Sequence, residues 1–371
     1  MILILLLLCI FAAVSISQFL LRKFGFSALE YTLAFSADEV SEGDTVTLIE
    51  TICSRKLLPL PWVKAELTTH SALDFASSQS SVSEDSRFIS SYFCLYPYRK
   101  IERRWRVTCT QRGIFTVSHA VLVLSDLFGT AELSQPMPDA EASITVLPAV
   151  RPLDDLHTLP HQLTGDVIRR RALIPDRFAI SGIRQYAEGD PVRDICWTAT
   201  ARSIQPMVWQ YRETSSPSLT VLLNAETRET DRDRVSDRAA YEDAIRLCAA
   251  CLGQANRLHM PMRFAANAAL GDQPALTAFS AGQAALHRHL RMLAALSDSV
   301  TGRFSQVLQR ICAEDNAAAI LIITVRPTAE IVRLAANDPR LTVFSLRPLQ
   351  DAEQRPNIFH IPVSSERTTI S

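Results

Sequence analysis

Residues 2–21 form an apolar run without a single charge, interrupted mainly by Ser15, Ser17 and Gln18. Twenty residues of helix reach about 30 Å, the thickness of a bilayer's hydrocarbon core. The period of the pattern then drops to two. Residues 30–35, 45–49, 104–109, 114–117 and 120–124 alternate apolar and polar positions, with Glu42-Gly43-Asp44 and Arg112-Gly113 as turns. Strands this short, without helical runs between them, predict an all-β, Ig-like sandwich over 27–150. Leu58-Pro59-Leu60-Pro61-Trp62 reads as an edge or corner segment, because proline cannot donate to a central ladder. The serine-rich stretch 77–86 reads as an exposed loop.

The second half changes character. Residues 218–223 and 318–325 are continuous apolar runs, the mark of strands buried on both faces. Between and after them, 239–257, 282–296, 304–314 and 328–336 show helical spacing, and 262–266 and 341–345 read as further strands. Strands alternating with helices predict a doubly wound α/β domain over 213–371 with a mainly parallel sheet. Residues 151–212 are left as a connector.

Composition narrows the function classes. The 371 residues carry 38 Lys+Arg against 39 Asp+Glu, a balance that gives no support to a nucleic-acid binder. Lys23, Lys56, Lys64 and Lys100 are the lysines, which excludes a P-loop or Schiff-base lysine after position 100. The eight cysteines lack the dense spacing of a secreted disulfide scaffold. Arg22 and Lys23 directly follow the apolar run, so the positive-inside rule places the rest of the chain in the cytoplasm behind a single-pass anchor at 1–23. A cleaved signal peptide is the alternative. It lacks a basic stretch before the apolar run and an A-x-A site after it.

The connector holds the most distinctive cluster. Gly189-Asp190-Pro191 is a turn with a rigid exit. Asp190 can accept hydrogen bonds from local backbone, Arg184 or Arg193, and Ile195 and Trp197 offer apolar anchors at alternating positions. Arg184, Tyr186, Gly189, Asp190, Arg193, Ile195, Trp197, Ala201 and Arg202 together resemble the DUF58 hallmark R-x-Y-x-x-G-D-x-x-R-x-I-x-W followed by A-R. Arg112-Gly113-Ile114-Phe115 leading to Ser125-Asp126-Leu127-Phe128-Gly129 is similar to that family's R-G…D-x-F-G signature. The resemblance implies a C-terminal von Willebrand factor A-like domain and a membrane-anchored, non-catalytic scaffold or adaptor. The partner it implies is a MoxR-type AAA+ ATPase acting in assembly or maturation of envelope proteins. It also implies two N-terminal spans, where this sequence shows one.

Other chemistry is weak. A metal-binding A-type domain places D-x-S-x-S after its first strand, whereas Asn224-Ala225-Glu226-Thr227-Arg228 stands here, a degenerate site. No metal, cofactor or catalytic residue is therefore expected. Cys248 and Cys251 read as core, and His287 and His289 diverge on a helix. His157, His161 and Arg169-Arg170-Arg171 read as a solvated linker, with anionic lipid as an alternative for the arginines. Two alternatives to the adaptor remain: a hydrolase or metal-dependent protein using the sheet edge near Asn224 and Glu226, and an extracellular adhesion module. For the hallmark, a domain-stapling role and a partner-docking role stand side by side.

Overall fold

The computed structural model describes residues 2–361 apart from 77–79, 84, 118, 127, 151–174, 188–189, 191, 204, 214–217, 229–230, 232, 271–272, 315–318, 339 and 350–354. His157, His161, Arg169, Arg170, Arg171, Gly189 and Pro191 lie outside the described residues. The chain divides into two compact units, Met1–Ala149 and Val150–Ser371.

Helix α1 (Ile2–Phe24) opens the first unit, with Arg22 and Lys23 in its last turn, where cations complement the helix dipole. Leu3–Phe24 is long and apolar enough to cross a membrane, a property shared with signal sequences. The following strands are β1 (Leu29–Phe35), β2 (Glu39–Ser41), β3 (Thr45–Ser54), β4 (Leu60–His70), β5 (Leu73–Phe75) and β6 (Ser80–Ser83). Then come β7 (Ser86–Leu95), β8 (Lys100–Cys109), β9 (Gly113–Val117), β10 (His119–Ser125), β11 (Glu132–Pro136) and β12 (Ala142–Leu147). They form three sheets, ordered β1-β3-β8-β5, β11-β10-β4-β7-β6 and β2-β12-β9. One apolar core serves all three, with Leu48, Ile52, Leu67, Ile89, Val107, Leu122 and Ile144 buried in it. Alternation does the sorting. In β3, Val46, Leu48, Glu50, Ile52 and Ser54 all face inward.

Two local expectations change. The Leu-Pro-Leu-Pro-Trp stretch enters β4, which lies in the middle of its sheet between β10 and β7. Its ladder is irregular between Leu60 and Val63, so Pro61 sits where no regular bond is demanded of it. The serine-rich segment includes β6, an edge strand paired only with β7. Small polar residues suit an edge whose other side meets water.

The first strands described in the second unit form a two-stranded antiparallel sheet, β13 (Pro175–Gln185) and β14 (Met207–Glu213). A 3-10 turn (Val192–Asp194) and the short helix α2 (Trp197–Thr200) lie between them. Next come β15 (Leu219–Leu223), α3 (Arg238–Arg257), β16 (Met262–Leu270), β17 (Gln273–Leu276), α4 (Gln283–Ala295) and α5 (Phe304–Glu314). The unit closes with β18 (Ala319–Thr324), α6 (Ala329–Asn337), β19 (Leu341–Ser345) and β20 (Ile358–His360). The sheet order β17-β16-β15-β18-β19-β20 is parallel except for β17 at one edge. Every residue of β15, β18 and β19 is buried, as the continuous apolar runs required. Asp237 caps α3 by accepting from the Ala240 N–H at 3.1 Å. Cys248 and Cys251 lie on its buried face, and burial pushes the Cys251 thiol up to about 12.

Candidate functional site: the hallmark hairpin, the arginine cleft and the helix–β junction

The hallmark folds back on itself between β13 and β14. Arg184, near the end of β13, grips Asp190 with both arms of its guanidinium, each at 2.7 Å. Asp190 also accepts from the Ala187 N–H at 2.8 Å, and its own N–H returns to the Ala187 carbonyl at 3.1 Å. The Arg184 side-chain bond, then the backbone bond, hold the Asp190 carboxyl down at about 2. The pair thus ties the end of β13 to Asp190. Tyr186 donates its backbone N–H to Pro206, Ile195 bridges to Val208, and Cys196 bonds the Met207 carbonyl. Cys196 and Val208 are the buried centre of this small motif.

The remaining hallmark side chains point elsewhere. Arg193, in the 3-10 turn, and Arg202, just after α2, are exposed. Trp197, the first residue of α2, is 69% exposed, and Ile183, Tyr186 and Val192 also expose much of their apolar surface. Among the described hallmark side chains, Arg184 and Asp190 form an ion pair, and it ties the hairpin to itself.

The second cluster lies at the C-terminal ends of the parallel strands, where Asn224 and Glu226 follow β15. Asn224 is fully buried, accepts from the Glu226 N–H at 3.0 Å and donates to Thr324 at 3.2 Å. Asn267, on β16 and equally buried, accepts from the Ala225 N–H at 2.7 Å. Glu226 accepts from the Phe304 N–H at 2.9 Å and from Asn267 at 3.3 Å. Burial raises the Glu226 pKa, against the Phe304 N–H and Arg303, which lower it. The Asn224 Oδ1 and one carboxyl oxygen of Glu226, Oε1, thus accept hydrogen bonds from within the protein. Asp231 organises the loop beyond, accepting from Thr227 and Arg228 N–H groups and the Thr227 and Ser236 hydroxyls.

Next to this cluster opens a cleft of about 770 Å³ whose walls carry Arg228, Arg326, Arg333, Arg347 and Arg355. Sequence reasoning singled out Arg228 only as a misfit ligand and missed the others. A signal was present: β15, β18 and β19, neighbours in the sheet, are each followed within five residues by an arginine.

A third arrangement joins α1 to the β strands of its own unit. Asp126, after β10, is buried and accepts from the N–H groups of Thr130 at 2.6 Å and Ala131 at 3.0 Å, and from the Thr130 hydroxyl at 2.8 Å. Burial works against its charge, but these bonds prevail and hold its pKa below the usual carboxylate range. Ser17 donates to Asp126 at 3.4 Å, Gln18 donates to Thr130 at 3.1 Å, and Leu21 is buried in the core. Lys56 donates to the Phe24 carbonyl at 2.7 Å and to that of Gly25.

Residues 182–325 match the model of a family described as "Protein of unknown function DUF58". The match supports the family resemblance carried by the hallmark residues. No curated protein matches the chain. Among solved structures, a CARDB domain from Pyrococcus furiosus is 12% identical, with 33% of this chain and 98% of that one covered at a TM-score of 0.23. A non-cellulosomal cohesin from Archaeoglobus fulgidus is 10% identical, covering 36% and 99%, also at 0.23. The E. coli alpha-2-macroglobulin is 19% identical over 33% of this chain and 7% of that one, again at 0.23.

Proposed function

We propose that the chain is a membrane-anchored, non-catalytic adaptor whose hallmark hairpin docks a partner protein. The observation that carries this is the exposure of Arg193, Trp197 and Arg202 on a hairpin already held by its own Arg184–Asp190 pair. Tryptophan and arginine dominate binding energy at interfaces, and a largely exposed tryptophan gains most from being covered. In this reading the first unit is an Ig-like sandwich on a retained anchor, and the second is a von Willebrand factor A-like domain, both cytoplasmic by the positive-inside rule. The partner is a MoxR-type AAA+ ATPase, as the family resemblance suggests, acting in assembly or maturation of envelope proteins. The lack of any lysine beyond Lys100 fits a chain whose partner supplies the nucleotide chemistry.

The test is co-purification of the full chain from solubilised membranes, comparing wild type with Trp197→Ala and Arg193→Ala. Docking predicts loss of the ATPase with unchanged melting. Equal recovery of the ATPase by all three, or no ATPase with the wild type, refutes that partner. A lowered melting temperature in Arg193→Ala would return the hallmark to a stapling role.

A further inference from the structure

We propose that the cleft at the C-terminal ends of β15, β18 and β19 binds a soluble small molecule bearing two or more phosphoryl groups. Arg228, Arg326 and Arg347 come from the loops that follow those strands, Arg333 from α6, and Arg355 from the segment before β20. Glu226 is the carboxyl group among the cleft's described lining residues. Arg347 is paired, donating to Asp237 at 2.6 Å. Arg228, Arg326, Arg333 and Arg355 have no carboxylate partner among the described residues.

Guanidinium groups stay charged at any physiological pH, so the four without a carboxylate partner among the described residues repel each other around one concavity and favour an anion there. An anion removes that repulsion, and the planar fork suits phosphoryl oxygens in pairs. The cleft's volume lies within the range of small-molecule sites, about 300–1,000 Å³. Its place outside the carboxyl ends of parallel strands is where open α/β sheets bind ligands. Its apolar wall is Pro327, Ala329 and Val332, with no aromatic ring among the described lining residues. Recognition therefore falls on the phosphoryl charge, with no platform for stacking a base.

The experiment is calorimetric titration of the detergent-solubilised full chain with inorganic phosphate, pyrophosphate and tripolyphosphate at fixed ionic strength, with a hexaglutamate peptide as a fourth titrant. The expected result is saturable binding that tightens from phosphate to tripolyphosphate. In the Arg326→Ala/Arg333→Ala double variant, tripolyphosphate binding weakens about tenfold or more, the loss of charge-assisted bonds. The Lys/Lys double variant falls between. Both arginines are exposed, so melting should not change. No saturable binding, or equal affinity in the alanine variant, overturns the site. Hexaglutamate binding as tightly as tripolyphosphate overturns the phosphoryl assignment in favour of an acidic peptide.

We also infer that the Asp126–Thr130 loop rests at the headgroup level of the bilayer; this rests on the retained anchor proposed above. Ser17 and Gln18 bond that loop, and both lie inside Leu3–Phe24, the stretch long and apolar enough to cross a bilayer. A loop bonded to side chains of that stretch lies at the edge of the hydrocarbon. The side chains around the helix exit suit that depth. Leu57 and Tyr98 are exposed beside Lys56, Phe128 is exposed in the loop itself, and Trp62 is exposed opposite Ser125 in the β4–β10 ladder. Aromatic residues concentrate at this level in membrane proteins.

Tryptophan quenching by lipids brominated near the headgroup tests the placement in vesicles carrying the full chain. Quenching should fall clearly in Trp62→Phe. Equal quenching in both chains overturns the seat, whereas release of the chain by alkaline carbonate overturns the anchor itself.

Discussion

Glu50 sits in the core of the first unit, fully buried on β3, and removing it is the sharpest stability test the structure offers. Its carboxyl oxygens accept from the Tyr31 hydroxyl at 2.7 Å, the Ser91 hydroxyl at 2.6 Å and the Trp105 Nε1–H at 2.9 Å. Burial first, then the Glu50 charge and hydrogen bond, push the Tyr31 pKa up, so its hydroxyl stays a donor. Glu50→Ala leaves the Tyr31 and Ser91 donors stranded in the core, about 1–3 kcal/mol each, while Trp105 is only half-buried and regains water more easily. Relief of the buried carboxyl offsets part of this. The two stranded hydroxyls together cost about 2–6 kcal/mol before that offset. That is a large share of a domain's stability of about 5–15 kcal/mol. Glu50→Gln keeps one oxygen for Tyr31 and Ser91 but turns an amide donor toward Trp105, so about 1–2 kcal/mol is expected. Hydrogen exchange by mass spectrometry on the detergent-solubilised chain resolves the two units. Protection in β3 and β8 should fall in the order wild type, Gln, Ala, with the α/β unit unchanged. An alanine variant within about 1 kcal/mol of wild type, or a glutamine variant worse than alanine, would refute the reasoning.

Other expectations follow from single sites. The Arg184–Asp190 pair supports the hairpin above the unfolded carboxylate pKa of about 3.9, and that support is lost as pH falls through about 2. A carboxyl-carbon NMR titration of Asp190 with a midpoint near 4 would contradict this. Asp231, held low by hydrogen bonds that outweigh its burial, likewise contributes above its unfolded pKa and loses that contribution in acid, so Asp231→Ala should flatten the acid limb of unfolding. Gly113 has a φ of 152° and leaves room only for hydrogen, since a Cβ there would meet the Phe115 ring at 2.8 Å. Gly113→Ala should lower the first unit's stability by about 1–3 kcal/mol in urea unfolding. In a native thiol-labelling experiment read by mass spectrometry, Cys94 should react, while Cys109, Cys248 and Cys251 should label only after denaturation.

The buried strands β15 and β18 were legible from pattern alone, because strands buried on both faces can only be apolar throughout, as 218–223 and 318–325 are. By contrast, β16 runs on to Leu270 past the expected 262–266, and the edge strands β17 and β20 were not foreseen. The inward face of β3 was equally plain from alternation, and the hallmark residues stood out by spacing. Pairing partners were not legible. Nothing local tells that Pro61 enters a central strand at a ladder irregularity, or that a serine-rich stretch pairs as an edge, since both depend on which strand lies alongside. The order of the sheet brought together arginines from positions 228 to 355, each an unremarkable surface residue in its own segment. Local chemistry determines which residues are buried and which turn. Only the fold's long-range connections decide which exposed charges share a cleft, and whether Ser17 on an apolar helix finds Asp126 more than a hundred residues away.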